Sequence, residues 1–213
     1  MHKMFRFLFW VVLIAGAVIG VARATVIRWW RVPTDDPYLT SSMSPSVRAG
    51  DLILLWRGTK PGFGDLVVCP EPKRPDRVVV GRIIGETRDT VSIKNGLIVV
   101  NTKRMGDEGA CSVDTFTEID PGTRIPTEQR CSLEEVGGDV HQRGNPTQGV
   151  APGDVETTVP DDHVYLVSDN RMFPYDSREF GPVPRASCTE MVFFRLVGIG
   201  GFFDASSRNQ YIH

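Results

Sequence analysis

Histidine is scarce in this chain, with four residues in 213. The four cysteines include no Cys-x-x-Cys pair and have no histidine in ligand register, so the sequence offers no zinc site. The formal net charge is only −2, which gives no sign of nucleic acid or another polyanion as a partner. There is no glycine-rich phosphate loop and no basic stretch interleaved with aromatics. Neither a metal nor an organic cofactor is implied. No internal repeat and no heptad is present, which sets aside solenoids and coiled coils.

What is present suits one globular domain with a modest extra segment. About 41% of residues are apolar and 23% charged, ordinary for a chain that buries a core. Twenty-one glycines and fifteen prolines predict many turns and few long helices. Cys111 and Cys131 share one polar stretch and can close a disulfide if that stretch lies outside the cytoplasm. Cys69 and Cys188 sit among apolar residues and read as buried small hydrophobes.

Residues Phe7 to Ala22 carry no charge. At 1.5 Å per residue they span about 24 Å, short of a ~30 Å hydrocarbon core. Continuing to Ile27 makes the length sufficient, with Arg23 reaching to the interface and Trp29 and Trp30 at headgroup level. Ala22-Arg23-Ala24, behind a basic start and an apolar run, also fits a signal-peptide cleavage site. Apolar character resumes after that triplet, which favours a retained anchor. Either reading exports the rest of the chain. Lys3 and Arg6 flank one end while Arg23, Arg28 and Arg31 flank the other, so the positive-inside rule is indecisive. The lipid bilayer is the first expected partner.

The remainder reads as strands. Asp51–Trp56 and Asp65–Cys69 are short apolar runs bounded by Gly and Pro, and Arg77–Gly85 is rich in β-branched residues. Thr90–Asn101 contains Asn95-Gly96, a strong hairpin signal. His163–Asp169 and Glu190–Ile199 are further strands. Between them, 102–162 turns polar and rich in Gly and Pro, an excursion of loops with a few short strands. The expected layout is an anchor over 1–30, a β domain over 31–101 and 163–203 interrupted by the excursion at 102–162, and a frayed polar tail at 204–213. The fold class is mainly β on a single N-terminal transmembrane helix.

Thr40-Ser41-Ser42-Met43-Ser44-Pro45 follows shortly after the apolar segment. A hydroxyl beside proline is ordinary turn chemistry taken alone. The order of the segments behind it says more. Ser42-Met43-Ser44-Pro45 precedes Gly50-Asp51, then Gly64-Asp65-Leu66-Val67-Val68, then Arg82-Ile83-Ile84-Gly85. Asp89-Thr90-Val91 and Val100-Asn101 follow, and finally Ser168-Asp169-Asn170-Arg171 with Asp176-Ser177-Arg178-Glu179-Phe180-Gly181. In this order the chain resembles the bacterial type I signal peptidases, of the peptidase S26 family, over most of its length outside the excursion.

The resemblance implies a membrane-bound serine endopeptidase that removes signal peptides from exported preproteins, with its β domain outside the cytoplasmic membrane. Ser42 matches the nucleophile, whose own N–H would donate to the oxyanion, and Thr40 the hydroxyl that completes the oxyanion hole. Arg82, Asp169, Asn170, Arg171, Asp176, Ser177 and Arg178 match a supporting framework. The substrate would lie as an added strand beside Ser42.

One part of the pattern is missing. The family's general base is a lysine immediately before the arginine matched by Arg82, and here that residue is Gly81. The hydroxyl thought to orient that lysine is replaced by Pro174, which cannot donate. Loss of base and partner agree with each other. Candidate substitutes are His2, His141, His163, His213, Lys60, Lys73, Lys94 and Lys103, none at the matching place. A base from a partner subunit, or an inactive relative that binds exported peptides or such a subunit, are the other accounts.

Overall fold

The computed structural model describes residues 2–58, 60–205 and 207–212. Helix α1 (His2–Thr25) leads into β1 (Ile27–Arg31), the short helix α2 (Pro37–Met43), β2 (Leu52–Trp56), β3 (Leu66–Glu71) and the long β4 (Arg74–Gly85). The hairpin β5 (Thr90–Lys94) and β6 (Leu97–Val100) follows, then β7 (Lys103–Arg104). The middle segment holds β8 (Gly106–Ile119), β9 (Pro126–Val136) and β10 (Asp139–Pro146). After β11 (Val155–Thr158) come β12 (His163–Val167), α3 (Ser177–Phe180), β13 (Val183–Pro184), a 3-10 turn at Arg185–Ser187, β14 (Glu190–Val197) and β15 (Gln210–Tyr211). The fold is mainly β with one apolar helix at the N-terminus, the class the sequence predicts.

Among the described residues α1 is the one helix long and apolar enough to cross a bilayer. Its 24 residues reach about 36 Å. That fits a single-pass membrane protein. The Arg23 guanidinium lies 4.8 Å over the Trp29 ring, so the charge interrupting the apolar run meets an aromatic face at the helix exit.

The main sheet runs β1-β2-β14-β3-β4-β12-β13, with β15 on β14. β14 pairs with both β2 and β3, so a late strand fills the gap between two early ones. β4 is covered on both faces from Val79 onward, which suits its β-branched residues Val79, Val80, Ile83 and Ile84. Its residues alternate between two clusters, as a pleated strand requires. Val78 and Val80 pack with Leu39 and Met43 of α2, while Val79 and Ile83 pack with Leu166, Cys69 and Cys188. The β5–β6 turn has Asn95 at φ 51° and Gly96 at φ 75°, the conformation an Asn-Gly hairpin favours.

The structure departs from the sequence reading in the excursion, which is a three-stranded antiparallel sheet, β10-β9-β8. In place of a few short strands these are 14, 11 and 8 residues long; β8 buries little beyond Cys111 and has no apolar alternation to mark its length. Cys111 and Cys131 are disulfide-bonded, joining β8 to β9. Cys69 and Cys188 are buried but are not independent hydrophobes; they form a second disulfide from β3 to the entry of β14. Gln210–Tyr211 of the supposedly frayed tail pair with Phe194 and Arg195.

The excursion docks by backbone. The β9–β10 turn meets the Gly62–Gly64 turn so closely that a Cβ on Gly137 would stand 2.6 Å from the Phe63 carbonyl. Gly137→Ala is expected to destabilise the protein by about 1–3 kcal/mol in chemical denaturation. Gly138, also at positive φ but with nothing within 4 Å of a built Cβ, is the control. Equal losses at the two positions would mean that the close approach is irrelevant.

Candidate active site

Asp36 caps α2: its side chain accepts from the Leu39 N–H at 3.1 Å, and Pro37 opens the helix with no N–H to satisfy. The second Asp36 oxygen takes Arg77 of β4 at 2.6 Å. Arg77 also lies over the ring of Tyr175, which packs against Tyr38. Tyr175 in turn donates to Glu71 and accepts from Arg74. The helix is therefore fixed at its start by charge and aromatic packing, and along its length by Leu39 and Met43.

Ser42 lies in α2, where the sequence suggested only a turn, and is fully buried. Its Oγ donates to the Leu39 carbonyl at 2.9 Å. As the sixth helical residue its N–H lies beyond the unpaired first turn and belongs to the helix ladder. Thr40 Oγ1 donates to the Asp36 carbonyl at 3.0 Å. Both groups assigned to an oxyanion hole are thus turned into α2 in this arrangement. Among the described residues no lysine or histidine hydrogen-bonds Ser42 Oγ. Lys60, Lys73, Lys94 and Lys103 are exposed, and His163 is turned to the Asp161 carbonyl. His213 and the side chain of His2 lie outside the described residues.

Gly81 is not a gap beside Ser42. It shares the face of β4 that packs on Leu166 and the Cys69–Cys188 bridge, and α2 lies on the other face. A Cβ at position 81 would stand 3.2 Å from Leu166 Cβ and 3.3 Å from the Val167 carbonyl. The resemblance implies a base at this position; the pleat turns it away from α2.

The last sequence box surrounds the serine turn. Asn170 donates from its backbone to the Ser42 carbonyl at 3.0 Å and from its side chain to the Ser41 carbonyl at 2.8 Å. Its Oδ1 accepts from Met172 and Phe173. Beside it Asp169 forms a buried two-point pair with Arg82, Nε to Oδ1 at 2.7 Å and Nη2 to Oδ2 at 3.1 Å. Asp176 takes Arg178, the Ser168 N–H and the Arg178 N–H. Ser177 Oγ accepts from the Leu166 N–H. Burial alone would raise the Asp169 and Asp176 carboxyls; Arg82 and Arg178 outweigh it and hold them below the usual carboxylate value.

The excursion completes a buried charge cluster of which the sequence reading names His141, Arg171, Asp169 and Arg82 but not Glu134 or Arg143. Glu134 of β9 takes Arg171 and, at 2.8 Å, Arg143. Burial opposes its ionisation, but Arg171, His141 and Arg143 lower its carboxyl to about 2. His141 of β10 has Nε2 3.4 Å from Glu134 Oε2 and 3.6 Å from Asp169 Oδ1. Gly144 of β10 donates to the Asp169 carbonyl and accepts from the Arg171 N–H. No signal in the polar excursion marks Glu134, Arg143 or Gly144, because their partners lie in distant boxes.

Glu134→Gln is expected to cost about 3 kcal/mol, since it leaves buried guanidinium charge uncompensated. Because the folded carboxyl sits below its ordinary 4.5, its stabilisation is complete above that pH. It is lost as pH falls from there toward about 2. Unfolding curves across that acid range should therefore flatten in the variant; an unchanged acid dependence would contradict the assignment. Gly81→Lys should lower the melting temperature without creating activity, because the new side chain enters the Leu166 cluster; a gain in peptide cleavage would contradict the orientation of position 81.

Comparison with known proteins gives the same direction. The family model for signal peptidase, peptidase S26, matches residues 4–197. Signal peptidase I U of Bacillus subtilis (strain 168) is 27% identical over 142 residues, 65% of this chain and 61% of that protein. Signal peptidase I V of the same organism is 26% identical over 112 residues, 52% of this chain and 54% of that protein. These matches span only about half to three-fifths of those relatives. A signal peptidase I structure from Enterococcus faecalis V583 aligns with a TM-score of 0.42 at 20% identity, covering 62% of this chain and 97% of that one. The family match takes in nearly all of the apolar helix, the serine turn, the Arg82–Asp169 pair and the closing box, and the chain belongs to the signal peptidase S26 family.

Proposed function

We propose that the protein is a membrane-anchored endopeptidase that acts on the signal peptides of exported preproteins, with Ser42 as nucleophile. The observation that carries this reading is the Asn170 clamp. Two hydrogen bonds from one residue fix the carbonyls of Ser41 and Ser42, at a point reached soon after a helix of membrane length. Such a hold sets the serine in a defined place close to where an exported segment leaves the bilayer. Two disulfides support an oxidising compartment for the β domain, hence the extracytoplasmic side. Attack by Ser42 requires its Oγ to leave the Leu39 carbonyl and find a proton acceptor.

A second reading is favoured by the same turn. Ser42 is fully buried, and Gly81 and Pro174 stand where a base and its orienting hydroxyl would be expected. In that reading the chain holds signal peptides, or a partner subunit, without cutting.

Full-length protein in proteoliposomes, given a preprotein with an Ala-x-Ala site, separates the two. Cleavage by wild type that disappears in Ser42→Ala is the expected result. Peptide binding that is equal in wild type and Ser42→Ala, with turnover in neither, would replace the first reading by the second.

A further inference from the structure

Resting on the peptidase reading above, we infer that His141, carried by β10 of the excursion, is the proton acceptor for Ser42. Among the described residues it is the only buried histidine or lysine: His163 is partly exposed and every described lysine is exposed. The buried carboxylates are poor alternatives. Asp169, Glu134 and Asp176 are each held ionised by a guanidinium, and a carboxylate stabilised in that way is a weak base.

Position supports the assignment. Arg82 follows the pleat of Val78 and Val80, so the Arg82–Asp169 pair lies on the face of β4 that α2 covers. His141 approaches that pair from β10. Just after it, β10 is tied to the serine turn at two points. Ser46 Oγ donates to the Gln142 carbonyl at 3.1 Å. Gly144 bridges to Asn170, the residue that holds Ser41 and Ser42. A cavity of about 470 Å³, bordered by Ser46, Gln142 and Arg195, reaches His141, while the ring itself stays buried.

The ring's surroundings choose its tautomer. Asp169 from the loop after β12 and Glu134 from β9 both face Nε2, at 3.6 and 3.4 Å. Arg82 of β4 faces it as well, and Arg171 and Arg143 lie behind Glu134. Carboxylates on the Nε2 side favour a proton there, which leaves the Nδ1 lone pair free. Nδ1 is buried and has no hydrogen-bond partner. Burial, then Arg82, lowers the imidazole below its ordinary 6.5, against the pull of the two carboxylates. The ring is therefore neutral at neutral pH.

The step balances without any other reagent. Ser42 Oγ turns off the Leu39 carbonyl and bonds to the scissile carbonyl carbon while its proton passes to Nδ1. The imidazolium, faced by Asp169 and Glu134, returns that proton to the leaving amine nitrogen as the C–N bond breaks. Water then attacks the ester, its proton following the same route back to Ser42 Oγ.

The test uses full-length protein in proteoliposomes with the Ala-x-Ala preprotein, and compares wild type, Ser42→Ala, His141→Gln and His141→Ala with and without added imidazole. Near-UV circular dichroism checks that each variant is folded. His141→Gln is expected to lower kcat by about 10²–10⁴-fold with little change in KM. Imidazole taking up the space that His141→Ala leaves beside the cavity should restore part of that variant's rate, which a merely structural role would not allow. The wild-type rate should hold down to pH 6.5 and fall only below it. A fully active His141→Gln beside an inert Ser42→Ala overturns the role of His141 and leaves the peptidase reading standing. A wild type that cleaves at no pH overturns both.

Discussion

The Arg82–Asp169 pair is the interaction on which the rest of this architecture turns. Both side chains are almost wholly inaccessible, and a charge in that position is tolerated only with a well-placed counter-charge and further hydrogen bonds. The pair fixes the loop after β12 against β4. Asn170, next in sequence, can then reach the carbonyls of the serine turn, and the Asp169 carbonyl can receive β10. Removing either partner would leave one buried charge alone, with the serine turn and the excursion both losing their reference point.

Charge also explains why a polar excursion can fold onto this core. β8–β10 have little apolar surface to bury, so they are held by one disulfide, a backbone contact without side chains at Gly64 and Gly137, and the Glu134 cluster. Glu134 and Asp169 balance Arg82, Arg171 and Arg143 only in part, and Asp107 lies 4.0 Å from Arg143 at the rim. The surplus positive charge favours a neutral imidazole at His141. The electrostatics of the excursion and of the serine region are therefore one system built from separate parts of the chain.

Much of the main sheet was legible in the sequence because its rules are local. Asn95-Gly96 fixes a hairpin, and the β-branched run of β4 marks a strand covered on both faces. The box order located Ser42, Arg82, Asp169 and Asn170. What was not legible depended on packing. Asp36-Pro37 is a local helix-start signal, but nothing local says that the helix it opens buries Ser42, or that Cys69 and Cys188 meet across the sheet. The resemblance implies a base at Gly81, but direction comes from the pleat and from the face of β4 that α2 occupies. His141 was one candidate base among several in the sequence, and only the packing of β9 and the Asp169 loop beside it sets it apart.

The position of β14 between β2 and β3 has a consequence for timing. The strands that begin the sheet cannot be joined edge to edge until one made near the end of the chain arrives. The residues that frame the serine turn are likewise synthesised long after the turn itself. A partly made chain therefore carries the hydroxyl without its frame, and the serine turn takes its final form only once the last segments have emerged.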